Sequence, residues 1–514
     1  MNKAPILVIG ATGYVGGRLV PRLVEAGYRV RAMARCMAKI RSRPWGEDPG
    51  VEPVQADVMD PDALRQTVSG CRAIYYLVHF STGSESERAE KAARNLIEAA
   101  SFHGVDRVIC LEWLGVEPPD LKILRSGPVP ATVLRAPMIL GSGCASFEIL
   151  RYLVDRLPVM IAPGWLNTAC QPIAIRNVLH YLTACLEIKQ TAGQTFDIGG
   201  PEVLSYLDLM KLYAEEAGLV RRLTISVPIQ SAPLNAWWIS LITPVPAAAA
   251  WDLTEAWRRP MVAEDDRIRT LIPQKLLGCR ETIHLALERV QEELVETRWS
   301  DAGAVALPEW SLSGDVHYAG GAVVQCCYKV RMRATREEIW EPIARIGGIK
   351  GWYFGNFLWK LRGFLDRLVG GVGLDRGRRH PSELFVGDAL DFWRVVEVDP
   401  PGRLVLVAEM KLPGEALMEF RILDLGDGTC ELQQRSRFLP RGLAGLLYWY
   451  SMYPFHQLIF GNMLKNIAGA MNHPITWGPE PFTPDPQESE LMPPNAMDEK
   501  VSEMDNPKER TQTP

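Results

Sequence analysis

Short apolar runs alternate with helical patterns through roughly the first 145 residues of the chain. The runs "APILVIG", "AIYYLVH" and "RVICLEWL" are separated by helical patterns such as "GGRLVPRLVEAG" and "SERAEKAARNLIEAASFHG". Apolar runs of about four to eight residues between helices are typical of a parallel sheet that is covered on both faces. The pattern predicts an α/β domain with a doubly wound sheet in residues 1–300. Its core is expected in about 1–145, followed by a cap and the remaining sheet elements.

The pattern changes in the second half of the chain. A stretch rich in Gly, Ser and Asp, 301–321, is predicted to be a linker. In residues 322–473, period-two strands such as "RLVLVAEMKLP" are joined by hairpin turns and followed by a long apolar helix, which predicts an α+β domain. Residues 474–514 are rich in Pro, Glu, Asp and Met with little periodicity, so we expect a disordered tail.

Composition excludes several classes of function. The net charge is −5 and the pI about 6.0, so no nucleic-acid surface is expected. The ten cysteines show no C-x-x-C or other ligand spacing, which predicts no metal site and favours core thiols in a reducing cytoplasm. The N-terminal residues lack the pattern of a secretory signal.

One uncharged stretch, 232–251, is about long enough to span a bilayer. Pro233, Pro244 and Pro246 interrupt it, and each removes a backbone donor that lipid could not replace. We therefore expect no transmembrane span. A buried cap and a peripheral membrane contact both remain open for this stretch.

The first turn after a strand carries glycines at the spacing of a dinucleotide site. In "VIGATGYVGG", Gly10, Gly13 and Gly16 stand between the first strand and the first helix. Such glycines permit a tight turn and let backbone N–H groups approach a pyrophosphate at the helix N-terminus. The alternative is a turn that only packs the helix against the strand. The motif predicts a Rossmann nucleotide site formed by Gly10, Thr12, Gly13, Tyr14, Val15 and Gly16.

The end of the second strand indicates which dinucleotide is bound. NAD sites usually place Asp or Glu there, whereas "VRAMAR" ends in Arg35, with Lys39 shortly after it. A cation suits a 2′-phosphate, so NADP(H) is favoured over NAD(H). The alternative is that both cations are simply solvated. Further contacts are predicted at later strand ends: Asp57 and Val58 beside the adenine, and Leu77, Val78, His79 and Ser81 below the nicotinamide ribose.

These motifs resemble the atypical short-chain dehydrogenase/reductase superfamily, close to its NmrA-like and extended groups. The resemblance covers about residues 4–290 and is carried by "GATGYVGG", "ADV", "YYLVH", "AARNLIEAA" and "LRAPMILG". It implies an NAD(P)-binding Rossmann domain with a small substrate cap, and it places Pro137 near the nicotinamide carboxamide. It extends to an accessory subunit of respiratory complex I with the same nucleotide fold. By analogy alone, a homodimer through "ERAEKAARNLIEAA" is expected.

The catalytic pair of that superfamily is missing from this sequence. Its members use a Tyr-x-x-x-Lys pair on the helix after the fifth strand, assisted by a Ser or Thr at the end of that strand. Here the predicted strands 107–114 and 131–140 enclose a bridge without tyrosine, whose one lysine is Lys122. Candidate substitutes are His79, Ser81 and Glu112. The alternatives are that His79 caps a strand and that Glu112 is a surface-loop carboxylate.

Residues 322–472 resemble the START-like (polyketide-cyclase-like) helix-grip fold, through "GWYFGNFLWKLRGFLDRLVGGVGL", "VGDALDFWRV" and "LYWYSMYPFHQLIF". The resemblance implies an apolar cavity that takes a lipid-like or polycyclic ligand. Two functions remain open. One is an NADP(H)-dependent oxidoreductase whose small apolar substrate is held with help of the second domain. The other is a sensor or assembly factor that binds NADP(H) without turnover, which the missing Tyr and Lys favour.

Overall fold

The structure is a computed structural model that describes residues 4–78, 86–115, 118–220, 222–227, 232–243, 245, 247–292, 295–302, 308, 323–374, 378–471 and 473–484. It divides into two compact units, Met1–Gly303 and Ala304–Pro514, called the first and the second unit. The strands and helices of the first unit are β1 Ile6–Ile9, α1 Gly16–Glu25, β2 Val30–Ala34, α2 Met37–Arg41, β3 Val51–Gln55, α3 Pro61–Val68, β4 Ala73–Tyr76, α4 Ser86–Phe102, β5 Arg107–Trp113, α5 Pro119–Ser126, β6 Ala131–Ala136, β7 Ile139–Leu140, α6 Ala145–Arg156, β8 Val159–Pro163, β9 Ala169–Cys170, β10 Ile173–Ala174, α7 Ile175–Ala184, β11 Thr195–Asp197, β12 Leu204–Ser205, α8 Tyr206–Glu216, β13 Leu223–Val227, α9 Ala232–Ile242, α10 Ala247–Trp257, α11 Arg267–Leu271 and α12 Cys279–Gln291.

The described part of the first unit contains a seven-stranded parallel sheet in the order β11-β6-β5-β4-β1-β2-β3. In β1, Ile6 and Val8 join the core on one face, and Leu7 and Ile9 join the core on the other. Because helices cover both faces, the strand is apolar throughout. The strand order reverses between β1 and β4, so the carboxyl ends of these strands border the crevice in which such sheets bind ligands. The predicted doubly wound sheet is confirmed.

The bridge between β5 and β6 closes the crossover with one short helix. This helix, α5, has eight residues and packs Leu121 and Leu124 into the core. The predicted sixth strand, 131–140, is wrong in its extent, because β6 ends at Ala136 and β7 pairs separately with β10. Pro137 stands at the break, and it has no N–H with which to continue the ladder.

The uncharged stretch 232–251 does not form a single helix. It is divided between α9 and the start of α10. Within the described residues, no helix combines the length and the hydropathy that crossing a bilayer requires.

The second unit is built on an antiparallel sheet. Its strands and helices are β14 Val324–Met332, α13 Arg336–Ala344, α14 Asn356–Leu368, β15 Ala389–Leu390, β16 Trp393–Asp399, β17 Arg403–Ala408, β18 Gly414–Asp424, β19 Cys430–Pro440, α15 Gly442–Ala470 and β20 Ile475–Pro481. The described strands are ordered β15-β16-β17-β18-β19-β14-β20, and an apolar core lies between the sheet and the helices. The predicted antiparallel sheet with a long closing helix is confirmed, whereas the START-like resemblance stays a prediction.

Strand β20 corrects the predicted C-terminal tail. The tail was expected to begin at residue 474, but Ile475–Pro481 pairs with β14 at the edge of the sheet. Pro479 and Pro481 made a strand unexpected here, because proline lacks the N–H that a sheet ladder uses. Both are tolerated in β20 because an edge strand need not donate all its N–H groups. The rest of the predicted tail, from residue 485, lies outside the described residues.

Candidate functional site

The glycine-rich turn after β1 leaves room only for backbone. Gly10 has a φ of 85°, and its carbonyl accepts a hydrogen bond of 3.0 Å from the N–H of Gly13. A Cβ on Gly16 would lie 2.1 Å from the Gly10 carbonyl oxygen, and a Cβ on Gly10 would lie 2.9 Å from the oxygen of Leu77. Helix α1 begins at Gly16, and its N-cap residue, Val15, makes no side-chain capping hydrogen bond. The turn therefore fits a dinucleotide pyrophosphate, because it brings backbone N–H groups close to an anion.

Buried contacts hold α1 in place behind this turn. Arg18 donates hydrogen bonds to the hydroxyl of Thr297 and to the carbonyl of Ser142, each with a length of 2.8 Å. Its guanidinium also lies 4.8 Å from the ring centroid of Tyr14. The Tyr14 hydroxyl packs against Gly141, where a Cβ would approach it to 2.6 Å. Thr12 and Tyr14 thus belong to the turn, but the Tyr14 side chain is directed into the protein, where burial raises its pKa.

The predicted cations after β2 lie in different surroundings. Arg35 is exposed, whereas Lys39 is buried and donates to the carbonyl of Asp301. The carboxylate of Asp301 is 3.2 Å from Arg43, and Arg43 reaches the carbonyl of Thr12 over 3.4 Å. Sequence reasoning missed Arg43. Its position eight residues after Arg35 was a signal, but the sequence placed Asp301 in a linker.

The structure also places the other predicted cofactor residues. Asp57 follows β3 and accepts a hydrogen bond from the N–H of Met59, and Val58 is buried. Leu77 and Val78 follow β4 and are half-buried, and Pro137 follows β6. All of these lie after the carboxyl ends of sheet strands, as predicted from the chain pattern. His79 and Ser81 lie outside the described residues.

Two buried carboxyl groups lie at the same edge of the sheet. Glu112, the second-last residue of β5, is 6% exposed, so the alternative of a surface-loop carboxylate is wrong. Asp120, in the first turn of α5, is 4% exposed. Tyr76 ends β4, pairs in register with Cys110, and therefore shares a face of the sheet with Glu112. Its hydroxyl is buried and has no hydrogen-bond partner within the described part of the chain.

Burial and neighbouring charges shift the ionisation of Glu112 and Tyr76. The pKa of Glu112 is raised from 4.5 to about 7, mainly by burial and also by the charge of Asp120, while a hydrogen bond from the N–H of Trp113 lowers it. Burial also raises the pKa of Tyr76, with the charges of Asp120 and Glu112 acting in the same direction. The cluster of Tyr76, Glu112 and Asp120, called the acidic cluster, can therefore hold a proton on a carboxyl group at neutral pH.

The geometry gives less support to a catalytic lysine in the bridge or to a metal site. Lys122, the one lysine of the bridge, is exposed on α5. Among the residues that the structure describes, no group of three or more His, Cys, Asp and Glu side chains is placed to hold a metal ion.

Two family models match the chain. One, described as NAD(P)H-binding, matches residues 10–134. The other, described as a protein of unknown function (DUF2867), matches residues 318–463. Over residues 10–134 the first unit is thus similar to NAD(P)H-binding proteins, in agreement with its Rossmann-type parallel sheet.

The curated proteins that resemble this chain have low sequence identity to it. Divinyl chlorophyllide a 8-vinyl-reductase of Zea mays is 28% identical over 265 residues, which are 46% of this chain and 65% of that protein. The photosystem II assembly factor Ycf39 of Cyanophora paradoxa is 25% identical over 239 residues, which are 44% of this chain and 72% of that protein. A nucleoside-diphosphate-sugar epimerase structure from Staphylococcus aureus covers 55% of this chain and 100% of its own, with 15% identity and a TM-score of 0.45. The chain therefore spans just under two thirds of the maize relative's length.

Proposed function

We propose that the chain is an NADP(H)-dependent oxidoreductase in which Glu112 takes the place of the missing tyrosine as proton donor. The observation that carries the proposal is the acidic cluster, which is buried at the carboxyl edge of the sheet. Its residues lie on β4, β5 and α5, and β4 is the strand next to β1, which leads into the glycine-rich turn. When bound, the nicotinamide supplies a hydride to a substrate carbon. Glu112 gives its proton to the atom that gains negative charge, and solvent returns a proton to the Glu112 carboxylate.

The other two members of the acidic cluster have supporting roles. Asp120 raises the pKa of Glu112 and so keeps more of it protonated near neutral pH. The Tyr76 hydroxyl stays neutral, because its own burial and both acid charges raise its pKa. A general acid whose pKa lies near the working pH is both protonated and able to transfer its proton.

The preference for NADP(H) is supported by two arginines. Arg35 is exposed after the carboxyl end of β2, where a 2′-phosphate is expected. Arg43 is buried beside the glycine-rich turn, and its Nε and Nη1 have no hydrogen-bond partner among the described residues. Its remaining donors would suit a phosphate oxygen, since guanidinium groups bind phosphate through several parallel hydrogen bonds.

An apolar substrate held by the second unit is supported by one buried amide. Gln434 on β19 is completely buried, and within the described residues neither atom of its amide has a hydrogen-bond partner. Its register neighbours are Phe420 on β18 and Tyr328 on β14, so its surroundings are apolar. An unsatisfied buried amide is costly, and a polar atom on an otherwise apolar ligand would satisfy it. This is the arrangement expected of a START-like ligand cavity.

Turnover by the full-length protein tests the proposal. NADPH oxidation is followed with enones, quinones and ketones as acceptors. Glu112→Gln should bind NADPH as the wild type does and lose about a hundredfold or more in turnover, the usual contribution of a general acid. The exposed Glu98→Gln variant serves as a control and should change neither quantity.

A second candidate function is a sensor or assembly factor that binds NADP(H) without turnover. The exposed Lys122 and the absence of a tyrosine from α5 favour it, and one relative is named as an assembly factor. Tight NADPH binding with no oxidation by any of these acceptors, in wild type and Glu112→Gln alike, would favour this function over the reductase.

A further inference from the structure

Helix α14 of the second unit presents its apolar side to solvent. Phe357, Leu361, Phe364, Leu365 and Leu368 are 75%, 44%, 55%, 48% and 47% exposed. Their spacing of three and four residues places them along one stripe of the helix. A surface helix of a globular protein ordinarily turns such a stripe towards the core. This stripe does not pack into the core of the second unit and is therefore available for an intermolecular contact.

The orientation of α14 is fixed by its opposite face. Asp366 is completely buried, and its carboxylate accepts hydrogen bonds from the N–H groups of Gly373, at 2.9 Å, and Lys411, at 2.7 Å. Gly363 is approached so closely by Leu374 that a Cβ would lie 2.6 Å from the Leu374 Cβ. If the helix rolled to bury its apolar stripe, Asp366 would lose these two hydrogen bonds, and the close packing of Gly363 against Leu374 would be broken. The exposure of the stripe is thus specified by the sequence.

The first half of α15 adds a second exposed stripe beside it. Leu443, Leu447 and Tyr450 are 73%, 63% and 67% exposed. The guanidinium of Arg362 on α14 lies 5.8 Å from the ring centroid of Tyr448 on α15, so the two helices are neighbours. The two stripes, on neighbouring helices, are together called the α14/α15 surface. Extended apolar surfaces of this kind mark interaction sites.

The exposed charged residues of the two helices themselves are basic. Helix α14 carries Lys360, Arg362 and Arg367, and its one acidic residue, Asp366, is buried. Helix α15 has 29 residues and contains no Asp or Glu. This local charge contrasts with the net charge of −5 of the whole chain.

We propose that the α14/α15 surface docks on an anionic phospholipid bilayer. The apolar stripes would enter the boundary between headgroups and acyl chains, while Lys360 and Arg362 contact lipid phosphates. Tyr450 fits this position, since tyrosine favours the membrane–water interface. A second copy of the chain fits less well, because a symmetric contact would bring the cations of two α14 helices together.

Cosedimentation of the full-length protein with vesicles tests the proposal. We expect binding to phosphatidylcholine vesicles that contain phosphatidylglycerol, little binding to phosphatidylcholine alone, and release by added salt. Phe364→Glu and Arg362→Glu should each abolish the binding, and unchanged thermal unfolding would show that the variants fold. Phe102→Glu and Val220→Glu are matched controls, because they change residues of the first unit that are 69% and 82% exposed, and they should bind as the wild type does.

Three results would overturn the proposal. Equal binding to both kinds of vesicle would exclude a role for the cations. No binding by a folded wild type would exclude the bilayer itself. A dimer in sedimentation analysis that Phe364→Glu dissociates would assign the surface to a second copy of the chain.

Discussion

The guanidinium of Arg43 lies 3.2 Å from the carboxylate of Asp301, and each side chain is 2% exposed. Asp301 belongs to a short 3₁₀ helix, Trp299–Ala302, at the end of the first unit. Its backbone carbonyl also accepts a hydrogen bond from Lys39. Asp301 thus connects the segment after β2 to the C-terminal end of the first unit. This contact lies beside the predicted adenosine side of the cofactor site.

Removal of this carboxylate should destabilise the protein strongly. Asp301→Ala leaves Arg43 buried without its counter-charge, and breaking a buried pair in this way costs about 3–5 kcal/mol. The free energy of unfolding in urea measures the loss. The exposed pair Arg65–Glu98, at 2.8 Å, is the control, since Glu98→Gln should cost less than about 1 kcal/mol. Equal effects of the two variants would contradict a structural role for the buried pair.

The choice of cofactor should depend on Arg35. Arg35→Ser removes an exposed cation after the carboxyl end of β2, and NADPH affinity should fall about tenfold or more while NADH affinity stays the same. Fluorescence titration with both cofactors measures this. Arg29→Ser changes an exposed arginine just before the same strand, at the opposite edge of the sheet, and should leave both affinities unchanged. A parallel loss of NADPH and NADH affinity in Arg35→Ser would argue against a 2′-phosphate contact.

Cofactor binding of either kind should depend on Gly16. In Gly16→Ala the new methyl group would lie 2.1 Å from the Gly10 carbonyl oxygen, so the turn must open and NADPH binding should be lost. Calorimetric titration measures the affinity. Gly164→Ala, at a position where a Cβ meets nothing within 4 Å, should bind NADPH normally. Retained binding in Gly16→Ala would exclude this turn as the pyrophosphate site.

The sequence predicted those parts of the fold that depend on local pattern. Continuous apolar runs predicted the parallel strands because both faces of the sheet are covered, and the first βα turn was evident from Gly10, Gly13 and Gly16. Contacts between distant segments could not be predicted in this way. Asp301 lies 262 positions from Lys39, and nothing in its own neighbourhood distinguishes it from a linker residue.

The acidic cluster shows the same limit within the candidate site. Glu112 was a candidate because of its position at the end of the fifth strand, but its burial depends on how α5 packs, and its raised pKa follows from that burial. Asp120 lies in the bridge, whose only evident feature in the sequence was that it has no Tyr-x-x-x-Lys pair. Local sequence does not show which of several carboxylates the tertiary fold will desolvate.

Two adjacent glutamines on β19 should respond to substitution in opposite ways. Gln434→Leu removes an amide that has no hydrogen-bond partner among the described residues, so the ligand-free protein should become about 1–3 kcal/mol more stable. Gln433→Leu should destabilise the protein, because the Gln433 amide donates a hydrogen bond of 2.7 Å to Glu431 and accepts one of 3.0 Å from Arg435. Urea unfolding measures both.

The same pair of variants tests the ligand. If Gln434 anchors an apolar ligand, a small molecule that copurifies with the wild type should be absent from Gln434→Leu when both are analysed by mass spectrometry. Destabilisation of the ligand-free protein by Gln434→Leu would show instead that the amide is already satisfied within the fold.

The stability of the protein should carry a pH signature of Glu112. Its pKa is about 7 in the folded protein, against an ordinary value of 4.5. Below pH 4.5 both the folded and the unfolded chain hold the proton, so the group does not affect stability. Between about pH 4.5 and 7 only the folded chain holds it, and the free energy of unfolding therefore falls as the pH rises. Above about pH 7 the buried charge costs roughly 3 kcal/mol.

Glu112→Gln should remove this dependence because glutamine does not ionise. Relative to the wild type, the variant should be stabilised by up to about 3 kcal/mol at about pH 8 and by much less at about pH 5, as measured by urea unfolding at each pH. Wild-type turnover should fall as the pH rises through about 7, since the donor proton is then lost. A stability difference that is the same at both pH values would mean that Glu112 titrates normally, and the proton-donor role would then lose its physical basis.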